Sequence, residues 1–420
     1  MNARTTHSSQ SLPISLWSLS IGAFFLNLAS VLCFTLTPIL LRTEFKKTAN
    51  SIGMLEGTVE GVSLLMRAFS GLFSDFFRRR KVFIAWGYGV SVVSRFLLAP
   101  ATLTEQVYIS RFLEKVGNGL QASPREAYIS DITPCSMIGR AYSLNKTLSM
   151  AGSLTGGMLM LYLSYGGVNV NIRSMIWFAA GCTALAFTIL TLGTKDSVPV
   201  ATGDEGQKKT VKDEWIKIVS ETTSLSRYFW MTIGIVCLFK MGLFSGTFLM
   251  NQLYHSDATF LGMKLKNSEF FSNSVFQLVQ NVSCVLMAYP MGALSDRIDR
   301  RKTVAMACVF MIVAIFLFSK GASSFSMYIG IVSYGLQYSL HGSLMAWLSL
   351  VMPRHLFGTG FGIFYLTSGL AVIASNKLLT SLSDYVGLET AFLTIAGFVL
   401  VGLVLIPFVP ERDPCIKQGS

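Results

Sequence analysis

About twelve apolar runs, each long enough for a bilayer-spanning helix and bounded by charge or Gly/Pro clusters, divide this sequence from end to end. The first six fall at roughly 16–41, 51–74, 82–101, 106–130, 137–163 and 173–193; the last six at roughly 228–253, 270–294, 303–320, 325–350, 355–382 and 387–408. A chain so built is predicted to be an all-α polytopic membrane protein. Only 13% of its 420 residues are charged, against about 25% in a soluble domain. Its 31 Phe outnumber its 22 Asp plus Glu. A soluble enzyme, a disordered chain and a collagen-like rod are thereby excluded.

The formal charge of +12 does not point to nucleic acid. Cationic residues collect on cytoplasmic loops, and no basic face remains once the loops are assigned. Arg78, Arg79, Arg80 and Lys81 follow the second run, Arg140 the fourth, Arg297, Arg300, Arg301 and Lys302 the eighth, and Arg354 the tenth. Alternating spans put all of them on one side, which is then cytoplasmic, and an even span count puts both termini there too. The expected organisation is a six-helix bundle over 1–193, a cytoplasmic linker over 194–227 with one surface helix around Lys212 to Glu221, and a second six-helix bundle over 228–420. The first fifteen residues carry no cleavable signal pattern, so the first run is expected to stay as an anchor. The seven cysteines form no CxxC pair and read as small core hydrophobes.

The two halves repeat. Gly71-Leu-Phe-Ser-Asp75-Phe-Phe-Arg-Arg-Arg80-Lys81 matches Gly292-Ala-Leu-Ser-Asp296-Arg-Ile-Asp-Arg-Arg301-Lys302 at six of eleven positions, 221 residues apart. Pro134 and Gly139 recur as Pro353 and Gly358, 219 residues apart.

Both copies resemble the loop signature of the major facilitator superfamily, G-x-x-x-D-(R/K)-x-x-(R/K)-(R/K), with Phe76 departing from the pattern and Arg297 keeping it. Gly53 to Asp131, including Arg111-Phe-Leu-Glu114-Lys115-Val-Gly117-Asn118-Gly119 and Ser123-Pro124-Arg125-Glu126-Ala127, is similar to a bacterial efflux-type branch. There, Asn118 and Gln121 stand where basic residues are common. The resemblance implies twelve helices in two pseudosymmetric bundles and a secondary transporter working by alternating access. It implies a small organic solute, moved outward in exchange for protons. A proton-coupled importer of a nutrient or metal chelate is the alternative, and a transport-dead sensor on the same fold a third reading. It further implies a multi-pass monomer in the inner (plasma) membrane. Asp75, facing the start of the eleventh span near Phe357, and Asp296, facing the start of the fifth near Arg140, would form a cytoplasmic gate with Arg79, Arg80, Lys81, Arg140, Arg300, Arg301 and Lys302.

Charge inside a span is a functional candidate by default. The resemblance places the first, fourth, seventh and tenth spans beside the solute path. They contribute Asn27, Arg111, Asn118, Lys240, Asn251, Tyr334, Gln337, Tyr338 and His341, which suit an anionic or zwitterionic solute. Glu60 and Glu114 are the candidate proton carriers. Glu60 ranks first, because Gly57 and Gly61 would let a helix approach and exclude water, favouring the neutral acid, whereas Glu114, beside Lys115 and within a turn of Arg111, reads as a permanent ion pair. Arg67, Arg95 and Arg125 read as snorkelling or locally paired. No Walker loop, GxSxG or HExxH occurs; neither enzyme activity, nor a cofactor, nor a metal is expected.

Overall fold

A computed structural model describes residues 12–47, 49–77, 79–165, 171–195, 225–243, 259–260, 263–264, 269–320 and 324–410. Its first six helices are α1 (Ile14–Thr43), α2 (Ala49–Phe77), α3 (Arg80–Leu98), α4 (Thr104–Ile132), α5 (Ile138–Tyr165) and α6 (Ile172–Gly193). They are followed by α7 (Arg227–Met241), α8 (Glu269–Ser295), α9 (Arg300–Lys320), α10 (Ser324–Ser339), α11 (His341–Leu350), α12 (Phe357–Val386) and α13 (Leu388–Leu405). A short antiparallel ribbon, Thr259–Phe260 with Met263–Lys264, lies between α7 and α8 and has no counterpart in the sequence reading.

Apolar length explains most of these helices. Among the described residues, seven stretches are long and apolar enough to cross a membrane by themselves, including Ile14–Pro38, Arg300–Lys320 and Leu388–Phe408. By contrast, α4 carries Arg111, Glu114, Lys115, Arg125 and Glu126 along its length, so its neighbours shelter it. Trp17, Trp86, Trp177 and Phe408 stand exposed on the outer faces, where lipid rather than water suits them.

The tenth run is not one helix. It breaks at Leu340, where Ser339 Oγ donates back to the Leu336 carbonyl at 2.6 Å and α11 restarts at His341. Gly342 then lies so close to α5 that a Cβ there would strike the Ser143 hydroxyl. Between α12 and α13 the chain turns at Gly387, whose φ of 88° suits glycine.

Helices α1 to α6 pack on one another, as do α7 to α13, and α2 meets α12 while α5 meets α8 across the halves. Small residues set the last two crossings. A Cβ on Gly71 would collide with the Gly358 carbonyl, and one on Gly292 with Ser143 and the Gly139 carbonyl. Gly117 and Gly119 likewise let α3 and α2 approach α4. Gly61 does not, since nothing lies within 4 Å of a Cβ built there.

Arg78, Asn251 and residues 196–224, with the surface helix expected around Lys212, lie outside the described residues.

Candidate functional site

Two carboxylates at one end of the molecule each close on the first turn of a helix from the other half. Asp75, at the end of α2, accepts from the Gly358 amide at 3.0 Å and the Thr359 amide at 2.5 Å. Asp296, just after α8, accepts from the Gly139 amide at 2.8 Å and the Arg140 amide at 3.0 Å. Both helix starts offer unpaired N–H groups and the positive end of the dipole, which suits a carboxylate. The repeat thus appears twice in space with the same chemistry.

The surroundings of the two differ. Asp75 is ion-paired with Arg80, which also donates to Ser74 Oγ at 2.8 Å and reaches Asp131 at 3.3 Å. Arg80 is only 1% exposed. Asp296 lies 3.6 Å from Arg140 and 3.5 Å from Arg300, which also bonds the Cys135 carbonyl across the halves at 2.9 Å. Burial pushes the Asp296 carboxyl above its ordinary value despite the Arg140 and Gly139 amides. Asp299 moves the other way, held below the usual carboxylate range by hydrogen bonds from Arg301. The other basic residues of the motif stand further out. Lys81 donates to the Thr194 carbonyl at 2.6 Å, Arg301 reaches the Val409 carbonyl at 3.1 Å, and Arg79 and Lys302 are exposed.

Between the halves lies a polar cavity of about 350 Å³. It receives Asn27 from α1, Arg67 from α2, Asn118, Gln121, Arg125 and Glu126 from α4, Asn145 and Lys146 from α5, His341 from α11 and Tyr365 from α12. Tyr365 is six residues beyond Thr359 on α12, which sets the cavity roughly 9 Å behind the Asp75 contact. Local bonds fix the helices that carry the cations. Ser123 Oγ donates to the Arg67 carbonyl at 2.6 Å and Ser70 Oγ to the Gly119 carbonyl at 3.0 Å, stitching α2 to α4. Glu126 pairs with Arg125 at 3.3 Å and accepts from the Tyr365 hydroxyl at 3.0 Å, a bond between the halves. The Arg67 guanidinium lies over the Tyr365 ring, 5.2 Å from its centroid.

Of the cavity residues expected from sequence, Asn27, Asn118 and His341 are in this wall. Lys240, Gln337 and Tyr338, again with His341, line an adjoining void of about 20 Å³. Three expectations are corrected. Tyr334 is buried in packing against Phe276 and Phe318 instead. Arg111 and Glu114 form an ion pair inside the first bundle, extended by Arg95, which reaches Glu114 at 3.3 Å and Ser30 at 2.5 Å. Arg95 is thus locally paired, one of the two readings given for it, and Glu114 is the ion-paired carboxylate expected, held between two guanidiniums. Glu60 has 48% of its side chain exposed and sits 2.6 Å from Lys115; Gly61 admits no helix, so the water-excluding approach expected there does not form.

The sequence reading missed Arg67, Arg125, Glu126, Lys146 and Tyr365 as one group. One signal was available: Lys146 and Tyr365 are 219 residues apart, the same spacing as Gly139 and Gly358, so they occupy equivalent places in the two repeats.

The chain is 23% identical over 380 residues to an uncharacterised MFS-type transporter of Methanocaldococcus jannaschii, covering 89% of this chain and 90% of that one. It is 24% identical over 236 residues to the multidrug resistance protein MdtH of Proteus mirabilis, covering 53% and 56%. Among solved structures it shares its fold with the E. coli fucose:proton symporter FucP, at TM-score 0.72, 14% identity and coverage of 94% and 98%. The human organic anion transporter MFSD10 gives 0.69, 14%, 94% and 99%. The family model of the Major Facilitator Superfamily matches residues 19–265 and 271–419, and the chain belongs to that superfamily of membrane transporters.

Proposed function

We propose that this secondary transporter moves a small organic solute through the cavity between its halves, driven by a proton, with the Asp75 and Asp296 contacts as its cytoplasmic gate. The carrying observation is a buried polar cavity, lined from both halves and set behind two equivalent carboxylate-to-helix contacts. Such a gate opens by parting α2 from α12 and α5 from α8 as bodies, which is the rocking expected of alternating access. Both termini and the 194–227 linker then lie in the cytoplasm, and the protein works as a monomer in the inner (plasma) membrane.

Glu126 is the better proton carrier. It is buried, faces the cavity and bonds Tyr365 of the opposite half, so a change in its charge is felt at the interface between the halves. Export by proton exchange is the direction implied by the efflux-type resemblance, and the partial similarity to a multidrug resistance protein supports it. The second reading, uptake by cotransport, is favoured by the Arg125–Glu126 pair: a proton on Glu126 frees Arg125 for an acidic solute.

The test is flux in proteoliposomes under pH gradients of either sign, with anionic, neutral and cationic solutes. An inward-acid gradient that accelerates loss of a preloaded solute supports exchange, and one that accelerates its entry supports cotransport. Flux unaffected by the gradient for every transported solute overturns proton drive. Flux absent for the whole panel overturns the solute-transport reading.

A further inference from the structure

We propose that the cavity binds a small hydroxylated organic dianion, with its acidic groups among Arg67, Arg125 and Lys146; this rests on the transport reading above. The cavity wall holds three cations from three helices and one carboxylate, Glu126. That carboxylate is already engaged by Arg125 and Tyr365. Among the described residues, neither Arg67 nor Lys146 has a carboxylate within ion-pairing distance; each lies against an aromatic ring instead, Arg67 at Tyr365 and Lys146 at Tyr338, 5.5 Å from the centroid.

Two positive charges in excess, on half-buried side chains within the spans, are costly unless an anion meets them. Lys240, in the adjoining void, adds to the excess. Among the described residues, Arg67 Nε and Arg125 Nε are buried donors without an acceptor. They match acidic oxygens, and guanidiniums favour planar carboxylates. The three cations enter from α2, α4 and α5, an arrangement for acidic groups at separate ends of a ligand. Gln121 Oε1 and Asn145 Oδ1 are buried acceptors without a donor, and both belong to the cavity wall. An apolar diacid leaves them unmatched; hydroxyl groups between two carboxylates satisfy them.

The probe is tartrate, compared with erythritol, which is hydroxylated but neutral, and with putrescine, a dication. Binding is measured by thermal unfolding and equilibrium titration of the full chain in nanodiscs. Tartrate should stabilise saturably, and erythritol and putrescine should not. Arg67→Gln and Lys146→Met should each weaken tartrate at least tenfold, about 1.4 kcal/mol, while Lys146→Arg keeps most of the affinity and Lys320→Met, on the exposed pair with Glu389, changes nothing. Size-exclusion profiles identify any variant that fails to fold, and Lys146→Arg against Lys146→Met then separates charge from packing. Equal binding of erythritol or putrescine, or full tartrate affinity in Lys146→Met, overturns the proposal. No tartrate response in a protein that still shows gradient-driven flux of another solute overturns the substrate class alone. Loss of flux for every solute overturns the transport reading beneath it.

Discussion

At the residue scale, Asp75 and Asp296 each accept from two amides of a helix start but leave different things behind when neutralised. Asp75→Asn keeps one acceptor and strips the charge that faces Arg80, a guanidinium 1% exposed whose remaining anionic partner is Asp131 at 3.3 Å, beside Ser74 Oγ at 2.8 Å. Removing one partner of a buried pair is far more damaging than removing one at the surface. Asp296→Asn leaves Arg140, which is partly in solvent, and Arg300, which keeps the Cys135 carbonyl. A cysteine at Ser149, in the cavity wall, should therefore be labelled from the basic-loop side at least tenfold faster in Asp75→Asn and no faster in Asp296→Asn, where burial already favours the neutral carboxyl. Equal rates would remove Arg80 from the explanation. The pH response belongs to Asp296. Burial raises its pKa in the closed arrangement, so closing binds protons. The closed form is favoured as pH falls toward the ordinary carboxylate range, and that contribution is lost as pH rises through the raised value. Labelling at Ser149 should slow on acidification in the parent protein, and Asp296→Asn should flatten that dependence.

At the element scale, the helix limits were legible because each apolar run is bounded by charge. The run at 82–101 becomes Arg80–Leu98, and the run at 173–193 becomes Ile172–Gly193. The break at Leu340 was not legible, since its causes are a serine back-bond and the approach of α5 to Gly342, neither of which disturbs apolar periodicity. The same limit hid the purpose of the glycines. Gly61 and Gly71 look alike in a line of text, yet one faces open space and the other a backbone carbonyl. Gly71→Ala should therefore hold α2 and α12 apart, speeding labelling at Ser149 from the basic-loop side, whereas Gly61→Ala should not; identical behaviour would mean the crossing is not limited by backbone contact. Inside the first bundle, Glu114 ties Arg111 on its own helix to Arg95 on α3, and Arg95 reaches α1 through Ser30. Glu114→Gln leaves two buried guanidiniums without that carboxylate, and a loss of about 3–5 kcal/mol is expected. A large fall in the unfolding temperature checks it, and an unchanged one would assign the cluster to something other than holding α1, α3 and α4.

For the whole molecule, the two-fold repeat was readable because it is local: six of eleven neighbouring positions recur with their spacing intact. The cavity was not, because its charges come from Arg67, Arg125 and Lys146 on three helices, and each by itself resembles a side chain reaching for a membrane surface. Only the packing of α2, α4, α5 and α12 gathers them around Glu126. In the cotransport reading proposed above, that gathering sets the sign of coupling between proton and solute. Facing the Glu126 region are Arg125 on its own helix, Arg67 on α2, Tyr88 on α3, Tyr142 and Lys146 on α5, His341 on α11 and Tyr365 on α12. With Glu126 ionised, an acidic solute meets a carboxylate that already occupies Arg125. With Glu126 protonated, that repulsion is gone and Arg125 is released, so proton and anion assist each other's binding. Mutual assistance is reciprocal by linkage, and two ligands that bind together cross together, which is cotransport; two that displace each other give exchange. Tartrate should therefore bind more tightly to Glu126→Gln, which carries the neutral form, than to the parent protein. In proteoliposomes that variant should still exchange tartrate across the membrane at equilibrium, while an imposed pH gradient no longer drives net uptake. If Glu126→Gln binds tartrate no more tightly than the parent protein, the proton is carried elsewhere. If affinity in the parent protein falls with acidification, proton and solute compete, and the direction reverts to export by exchange.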